Sequence, residues 1–287
     1  MNYKEPLFRP PAEGNSLIFQ IAYGCPHNTC EFCPMYKKVR YSQRSLREVL
    51  QEIERAAKSY SDEKRIFLAD ADIMFLPFNE LEIILEKINK SFPKVARINM
   101  YANGNSILSK NSEELSRLKV LKVKTLYMGL ETGDDNLLRK VHKSERSVDM
   151  IKAVHLAQNC GLRTSVMVLL GLGGRNGSES HTKKTISVLN KMQPRLLSML
   201  RFIEVKETKI YKDYHPQTEY EVVEELKNML AGLKLNKTVF TANHSSNPLP
   251  LKGRLPYDKQ KLMETVKHIL DSNLLNKKGV GNLPYQL

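Results

Sequence analysis

The 287-residue chain contains no tryptophan and only four cysteines. Four thiols are too few to staple an extracellular fold of this length, so a disulfide framework is excluded as its organising device. No apolar run approaches the roughly 18 residues that a membrane-spanning helix needs. The opening segment, Met1 to Pro10, lacks the apolar core of a signal peptide. Internal repeats and low-complexity linkers are absent, as are an arginine-rich arm and any run of five like charges. Scarce, clustered thiols and no export signal lead to the expectation of a protein in the reducing cytoplasm, with no membrane association.

What the chain has in excess is positive charge: 45 Lys and Arg against 31 Asp and Glu, a net +14. Such a balance can mark contact with nucleic acid or another polyanion. Here the lysines are scattered through amphipathic stretches, which favours a solvated surface over a nucleic-acid groove.

Short β-like runs alternate with helical periodicity. The expected strands are Leu17–Tyr23, Arg65–Asp70, Val95–Tyr101, Lys124–Leu130, Thr164–Leu170 and Leu196–Ile203. Between them, Ser45…Glu48 and Asn111…Glu114 are capping boxes, in which each partner satisfies one unbonded backbone donor. Asn79 is read as the cap of a helix whose stripe is Leu81, Ile84, Leu85 and Ile88. Gly161 closes a helix over Ser147–Asn159, and a further helix is expected over Ser180–Met192. Six strands with five helical crossovers predict an α/β fold with a parallel sheet, curled as a partial (β/α)6 TIM-like barrel. Its chemistry should sit at the carboxyl ends of the strands. A core over residues 15–215 is expected, followed by an α-rich extension over 216–287 packed on the barrel. In that extension, residues 241–256 read as a loop able to serve as a lid, and the Gly- and Lys-rich tail from Asn276 to Leu287 as frayed.

Three of the four cysteines fall within nine residues, Cys25-Pro-His-Asn-Thr-Cys30-Glu-Phe-Cys33, directly after the first strand. Gathered thiolates at a strand end read as a metal or iron–sulfur site. A structural zinc site closes with a fourth ligand, for which His27 or a distant histidine is a candidate, whereas an iron–sulfur cube can keep one iron open. Cys160, beside Gly161, reads as a small buried hydrophobe. His244, in a polar loop, reads either as an acid–base group or, preferably, as a turn cap.

The spacing Cys-x4-Cys-x2-Cys with Phe32 before the last cysteine resembles the cluster loop of the radical S-adenosylmethionine (SAM) superfamily, with one residue more than the usual Cys-x3-Cys-x2-Cys. Three further segments resemble that family in the right order. They are Leu68-Ala-Asp-Ala-Asp72, Tyr127-Met-Gly-Leu-Glu-Thr-Gly-Asp-Asp135 and Val168-Leu-Leu-Gly-Leu-Gly-Gly174. The second is similar to the branch holding the Elongator catalytic subunit, the methylthiotransferases and oxygen-independent coproporphyrinogen III oxidase. The resemblance implies a [4Fe–4S] cluster on Cys25, Cys30 and Cys33, with SAM bound at the open iron. It implies that Asp72, or Asp70, receives the SAM amino group, and that Glu131 accepts from the ribose diol. Leu170 and Gly171 would lie along the adenine, with Phe32 and Asn103 also lining the cofactor. Plainer roles stay open: a loop acid for Asp70 or Asp72, an ion-pair partner of Arg139 or Lys143 for Glu131, a turn for Asn103 and the glycines.

The implied activity is reductive cleavage of SAM to a radical that acts on an unidentified substrate, fed by a flavodoxin- or ferredoxin-type reductant. The alternative is a non-catalytic iron–sulfur or haem-handling protein on the same scaffold. Nucleic acid is a possible but not favoured substrate.

Overall fold

The computed structural model describes residues 3–208 and 210–281. They form an α/β fold whose eight main strands make a mostly parallel sheet. By compactness the chain divides into two units. The strands expected from the sequence are all present, and the crossovers between them are helical.

The first unit comprises residues 3–29, 33–128 and 152–164. Strands β1 (Leu17–Gln20), β4 (Arg65–Ala69), β5 (Arg97–Tyr101) and the first part of β6 (Val123–Glu131) run parallel in that order. A short antiparallel pair, β2 (Ala22–Tyr23) and β3 (Ser42–Gln43), brackets the cysteine segment. Helix α1 (Leu46–Tyr60) starts from the expected capping box and buries Val49, Ile53 and Ala56. Helix α2 (Phe78–Ser91) buries the expected stripe Leu81, Ile84, Leu85 and Ile88. Asn79 does not cap it: the cap position is Pro77, and Asn79 lies inside the first turn. Proline fixes its own φ and suits a helix entrance, so the helix starts two residues earlier than the asparagine suggested. The crossover after β5 carries two helices, α3 (Gly104–Leu108) and α4 (Ser112–Val120), the latter with its capping box on Asn111. Between the strands Phe67, Tyr101 and Tyr127 pack edge to face. Below them the buried Glu13 accepts from Tyr127, Asn99 and Ser16, which satisfies an acid that burial would otherwise penalise.

The second unit comprises residues 30–32, 129–151, 165–208 and 210–281. It holds the end of β6, then α5 (Asp135–Lys140) and the start of α6 (Ser147–Asn159). Strands β7 (Arg163–Leu170), β8 (Leu196–Arg201) and β9 (Thr238–Thr241) are parallel, and β10 (Lys252–Leu255) closes the edge antiparallel to β9. Helix α7 (Gly174–Met192) begins six residues before the expected Ser180. Helix α8 (Glu219–Gly232) buries Val222, Val223, Leu226, Met229 and Leu230, and α9 (Lys259–Asp271) buries Leu262, Val266 and Leu270.

The proposed lid over 241–256 is corrected by this arrangement. Residues 252–255 are a strand, and Leu249 and Leu251 are buried. Asn247 donates to the Met199 and Ala242 carbonyls, so the segment is packed. The tail is likewise held as far as it is described: Asn276 N–H donates to Glu219, and the Gly279 carbonyl accepts from Glu219 N–H. The expectation for residues 282–287 lies outside the described residues.

Candidate functional site

In the first unit the site is built around two aspartates at the end of β4. Ala69 O accepts from Ile21 N–H, which registers the turn leading into the cysteine segment. Asp70, fully buried, takes the Gly24 N–H at 3.0 Å, and Gln20 Nε2 lies 3.2 Å and 3.3 Å from its two oxygens. Burial nevertheless pushes its carboxyl up to about 6. Asp70 therefore fixes the residue that precedes Cys25.

Asp72 is also buried and reaches further. Its Oδ2 lies 3.0 Å from His27 Nε2 and accepts the Ser106 hydroxyl at 2.6 Å, while Oδ1 accepts the Asn103 N–H at 3.3 Å. One carboxylate thus joins the cysteine segment to the loop after β5. A carboxylate has about four lone-pair sites, so capacity remains on Oδ1. Asn103 spends its side-chain oxygen on capping α3 through Gly104 N–H, at 2.7 Å. Phe75 packs edge-on against both His27 and Tyr41. Neither His27 nor Ser106 was singled out for this role by the sequence. They lie 45 and 34 residues from Asp72, and no local pattern joins them.

Tyr36 and Tyr41 feel the charge of Cys25, and Tyr101 that of Cys33. Burial first, then the charge of Asp70 on Tyr36, of Asp72 on Tyr41 and of Cys33 on Tyr101, holds all three phenols above their usual range, so they stay neutral beside the sulfurs. None of the four cysteines is in a disulfide, and each is half-buried. For Cys160 this corrects the expectation of full burial: its thiol reaches the Ser112 carbonyl at the surface, 3.5 Å away. Phe32 is buried.

Among the described residues no three His, Cys, Asp or Glu side chains converge on one point, as a single zinc ion requires. A cube of iron and sulfide makes a different demand, because each thiolate binds its own iron. The donor set, three accessible thiols and no fourth cysteine nearby in sequence, fits such a cluster.

In the second unit Glu131 ends β6 with φ +65°, a left-handed conformation rare outside glycine. Its carboxylate folds back over Gly129, where a Cβ would stand 1.8 Å from Oε1. Lys143 Nζ lies 3.7 Å from Glu131 and 3.8 Å from the buried Glu145. Of the two ion-pair partners considered for Glu131, the structure places Lys143 there, while Arg139 turns to Asn136. Burial raises the Glu131 carboxyl, and Lys143 opposes that rise. Gly133 is needed for another reason: a Cβ would meet the α7 backbone at Lys184 O, 2.6 Å away.

Leu170 is buried, and Gly171 has both polar groups engaged. Its N–H donates to Glu225 at 2.8 Å and its carbonyl accepts from the Tyr214 hydroxyl at 3.0 Å. Gly173 and Gly174 open α7, against Gly177 and His215 respectively. His244 caps a turn, its Nδ1 accepting from Ser246 N–H at 3.1 Å.

The family model described as the radical SAM superfamily matches residues 19–186. An uncharacterized protein of Methanocaldococcus jannaschii is 26% identical over 211 residues, covering 67% of this chain and 41% of that protein. The chain therefore spans about two fifths of that relative's length. Among solved structures, coproporphyrinogen III oxidase (HemN) from Escherichia coli superposes with TM-score 0.58 at 14% identity, over 75% of this chain and 51% of that one. Methylornithine synthase (PylB) gives TM-score 0.54 at 14% identity, over 89% and 80%. These likenesses show a common fold. Among the described residues no helix is long and apolar enough to cross a membrane.

Proposed function

Because the chain belongs to the radical SAM superfamily, a family of enzymes whose cofactors are a [4Fe–4S] cluster and SAM, we propose that Cys25, Cys30 and Cys33 hold the cluster and that the chain cleaves SAM reductively to act on a substrate still to be identified. When bound and reduced, the cluster supplies the electron that splits the sulfonium and yields a 5′-deoxyadenosyl radical; the protein supplies binding, orientation and exclusion of water.

The observation that carries this reading is Asp72. Its buried carboxylate is already oriented by Ser106 and His27, so it can take an ammonium group without first being ordered. That contact is charge-assisted. Asp70 acts one step away, by fixing Gly24 ahead of the first thiolate. Neutral Tyr36 and Tyr41 near Cys25, and Tyr101 near Cys33, add no negative charge there. In the second unit, Glu131 presents two acceptor oxygens suited to a ribose diol, with Lys143 partly neutralising it. Phe32, Asn103, Leu170 and Gly171 complete the proposed cofactor contacts. Family members take their electron from a donor, and we assign this one to the flavodoxin or ferredoxin type. Residues 15–215 would form the catalytic core and 216–287 its extension.

The test is anaerobic reconstitution with iron and sulfide, followed by reduction with SAM present. The expected result is a cluster absorption band, a spin signal on reduction, and 5′-deoxyadenosine; Cys30→Ala should lose all three. A cluster that forms without any SAM cleavage would instead favour the non-catalytic reading. A colourless protein that takes up zinc in place of iron would overturn both.

A further inference from the structure

The fifteen residues from Cys33 to Arg47 carry five cations, Lys37, Lys38, Arg40, Arg44 and Arg47, and no acid. Against a net +14 for the whole chain this is a local concentration of charge, and it begins at the third thiol. Two of the five serve the fold. Lys37 donates to the Asn28 carbonyl at 3.1 Å, and Arg44 donates to the Gln20 carbonyl and to Glu52. Lys38, Arg40 and Arg47 are exposed. Of the acids close by, Glu48 is engaged by Ser45 and Glu80 by Gln43.

An exposed aromatic ring adjoins this stretch. Phe75, in the turn that follows Asp72, is 49% exposed. It is nevertheless held in place, edge-on to His27 at 5.7 Å and to Tyr41 at 5.6 Å. Tyr41 belongs to the basic stretch, and His27 lies in the chain between the first two thiols. A fixed aromatic with arginine and lysine around it has the composition of a protein interface, an anchor at the centre and a charged rim.

Charge and place together select the occupant. Clustered cations attract an acidic surface and act over about 10 Å at 0.1 M salt, so the rim steers a partner before any contact forms. A nucleic acid would feel the same field, but single strands are held by a series of stacking rings, and Phe75 is one exposed ring. Position favours an electron carrier. The stretch is continuous with Cys33, and Tyr41 within it feels the charge of Cys25. Redox encounters bury little surface, so one anchor and a charged rim suffice. Resting on the cluster reading above, we propose that Phe75 with Lys38, Arg40 and Arg47 forms the docking surface of an acidic one-electron carrier protein. The carrier loses one electron, the cluster gains it, and no atom is transferred.

Surface plasmon resonance on the full chain, before any iron is added, tests docking with three probes: an acidic flavodoxin, a basic cytochrome c and a single-stranded RNA. Flavodoxin should bind saturably at low salt and weaken steeply as salt rises, and cytochrome c should not bind. Arg40→Glu combined with Arg47→Glu should slow flavodoxin association about tenfold or more at low salt. Phe75→Ala should weaken flavodoxin about fivefold, the loss of an interface anchor. If the double variant does not fold, Arg47→Glu alone serves, since an acid suits the first turn of α1. After reconstitution the charge variant should cleave SAM like wild type with dithionite, and about tenfold more slowly with reduced flavodoxin. Wild type inactive with dithionite would sink the cluster reading and this proposal with it. Wild type active with dithionite, beside a charge variant that takes flavodoxin electrons equally well, would overturn the docking surface alone. So would flavodoxin that fails to bind at low salt, or RNA that binds more tightly than flavodoxin and is lost in the charge variant.

Discussion

Asp70 carries a pH dependence of definite sign. Its carboxyl is raised from 3.8 to about 6, chiefly by burial, so the folded chain holds that proton more tightly than the unfolded one. The stabilisation is fully present below pH 3.8 and is lost as pH rises through about 6. At about 1.4 kcal/mol per unit, the window is worth about 3 kcal/mol. Asp70→Asn retains the shape without the titration. Urea unfolding between about pH 4 and pH 7 should show wild type losing stability relative to Asp70→Asn as pH rises through that window. Parallel profiles would mean that Asp70 is not perturbed. Gly129 makes a second case. A methyl there meets the mobile end of Glu131, so Gly129→Ala should displace the carboxylate and leave the strand intact. SAM binding should weaken about tenfold or more, the worth of a hydrogen bond to a charged group, while the unfolding midpoint moves little. A large fall in stability with unchanged affinity would make Glu131 structural. Single residues of this kind were only half legible in the sequence. The thiols, Asp72 and Glu131 announce themselves by type and by their place at strand ends. Of their partners, Lys143 is one of the two the sequence offers for Glu131, whereas Ser106 and the link from His27 to Asp72 are not legible, because hydrogen bonding across loops leaves no periodicity.

At the level of elements, what the sequence disclosed depended on whether the determinant was local. Helix α1 begins where Ser45 and Glu48 exchange hydrogen bonds with the backbone, a four-residue device readable without knowledge of the fold. Ser45→Ala should cost about 1 kcal/mol, as loss of a cap residue does. Chemical denaturation at neutral pH checks this, and an unchanged midpoint would show the first turn held by other contacts. Helix α2 kept its stripe because period 3.6 survives any packing. Its start was misplaced because proline at an entrance competes with asparagine for the same signal. Helix α7 begins early, at Gly174, whose backbone lies close against His215 and Tyr214, a contact that only tertiary structure reveals. Strand β10, Lys252-Gly-Arg-Leu255, has no alternating apolar pattern. It is a strand because β9 offers an unpaired edge.

For the molecule as a whole, parallel α/β architecture was legible because βαβ alternation leaves few other solutions. Of the two strands added after residue 215, β9 is legible as a short β-like run over Thr238–Ala242, whereas β10 is not, because its residues carry no strand pattern of their own. The cluster loop makes the sharpest whole-chain prediction. Residues 25–41 form turns between β2 and β3 with no ladder of their own, so their order depends on side-chain ties such as Asn28 to the Tyr36 carbonyl, at 2.6 Å. A group that binds the folded thiols and not the unfolded chain stabilises by mass action, about 2.7 kcal/mol at a hundredfold excess over Kd. Anaerobic reconstitution should therefore raise the thermal midpoint, and hydrogen exchange across residues 25–41 should slow more than in α9, far away in sequence. Chelating the iron should reverse both effects, and Cys30→Ala should show neither. Were the midpoint to rise equally in Cys30→Ala, iron would be binding elsewhere, and the three-thiolate assignment would fall with it.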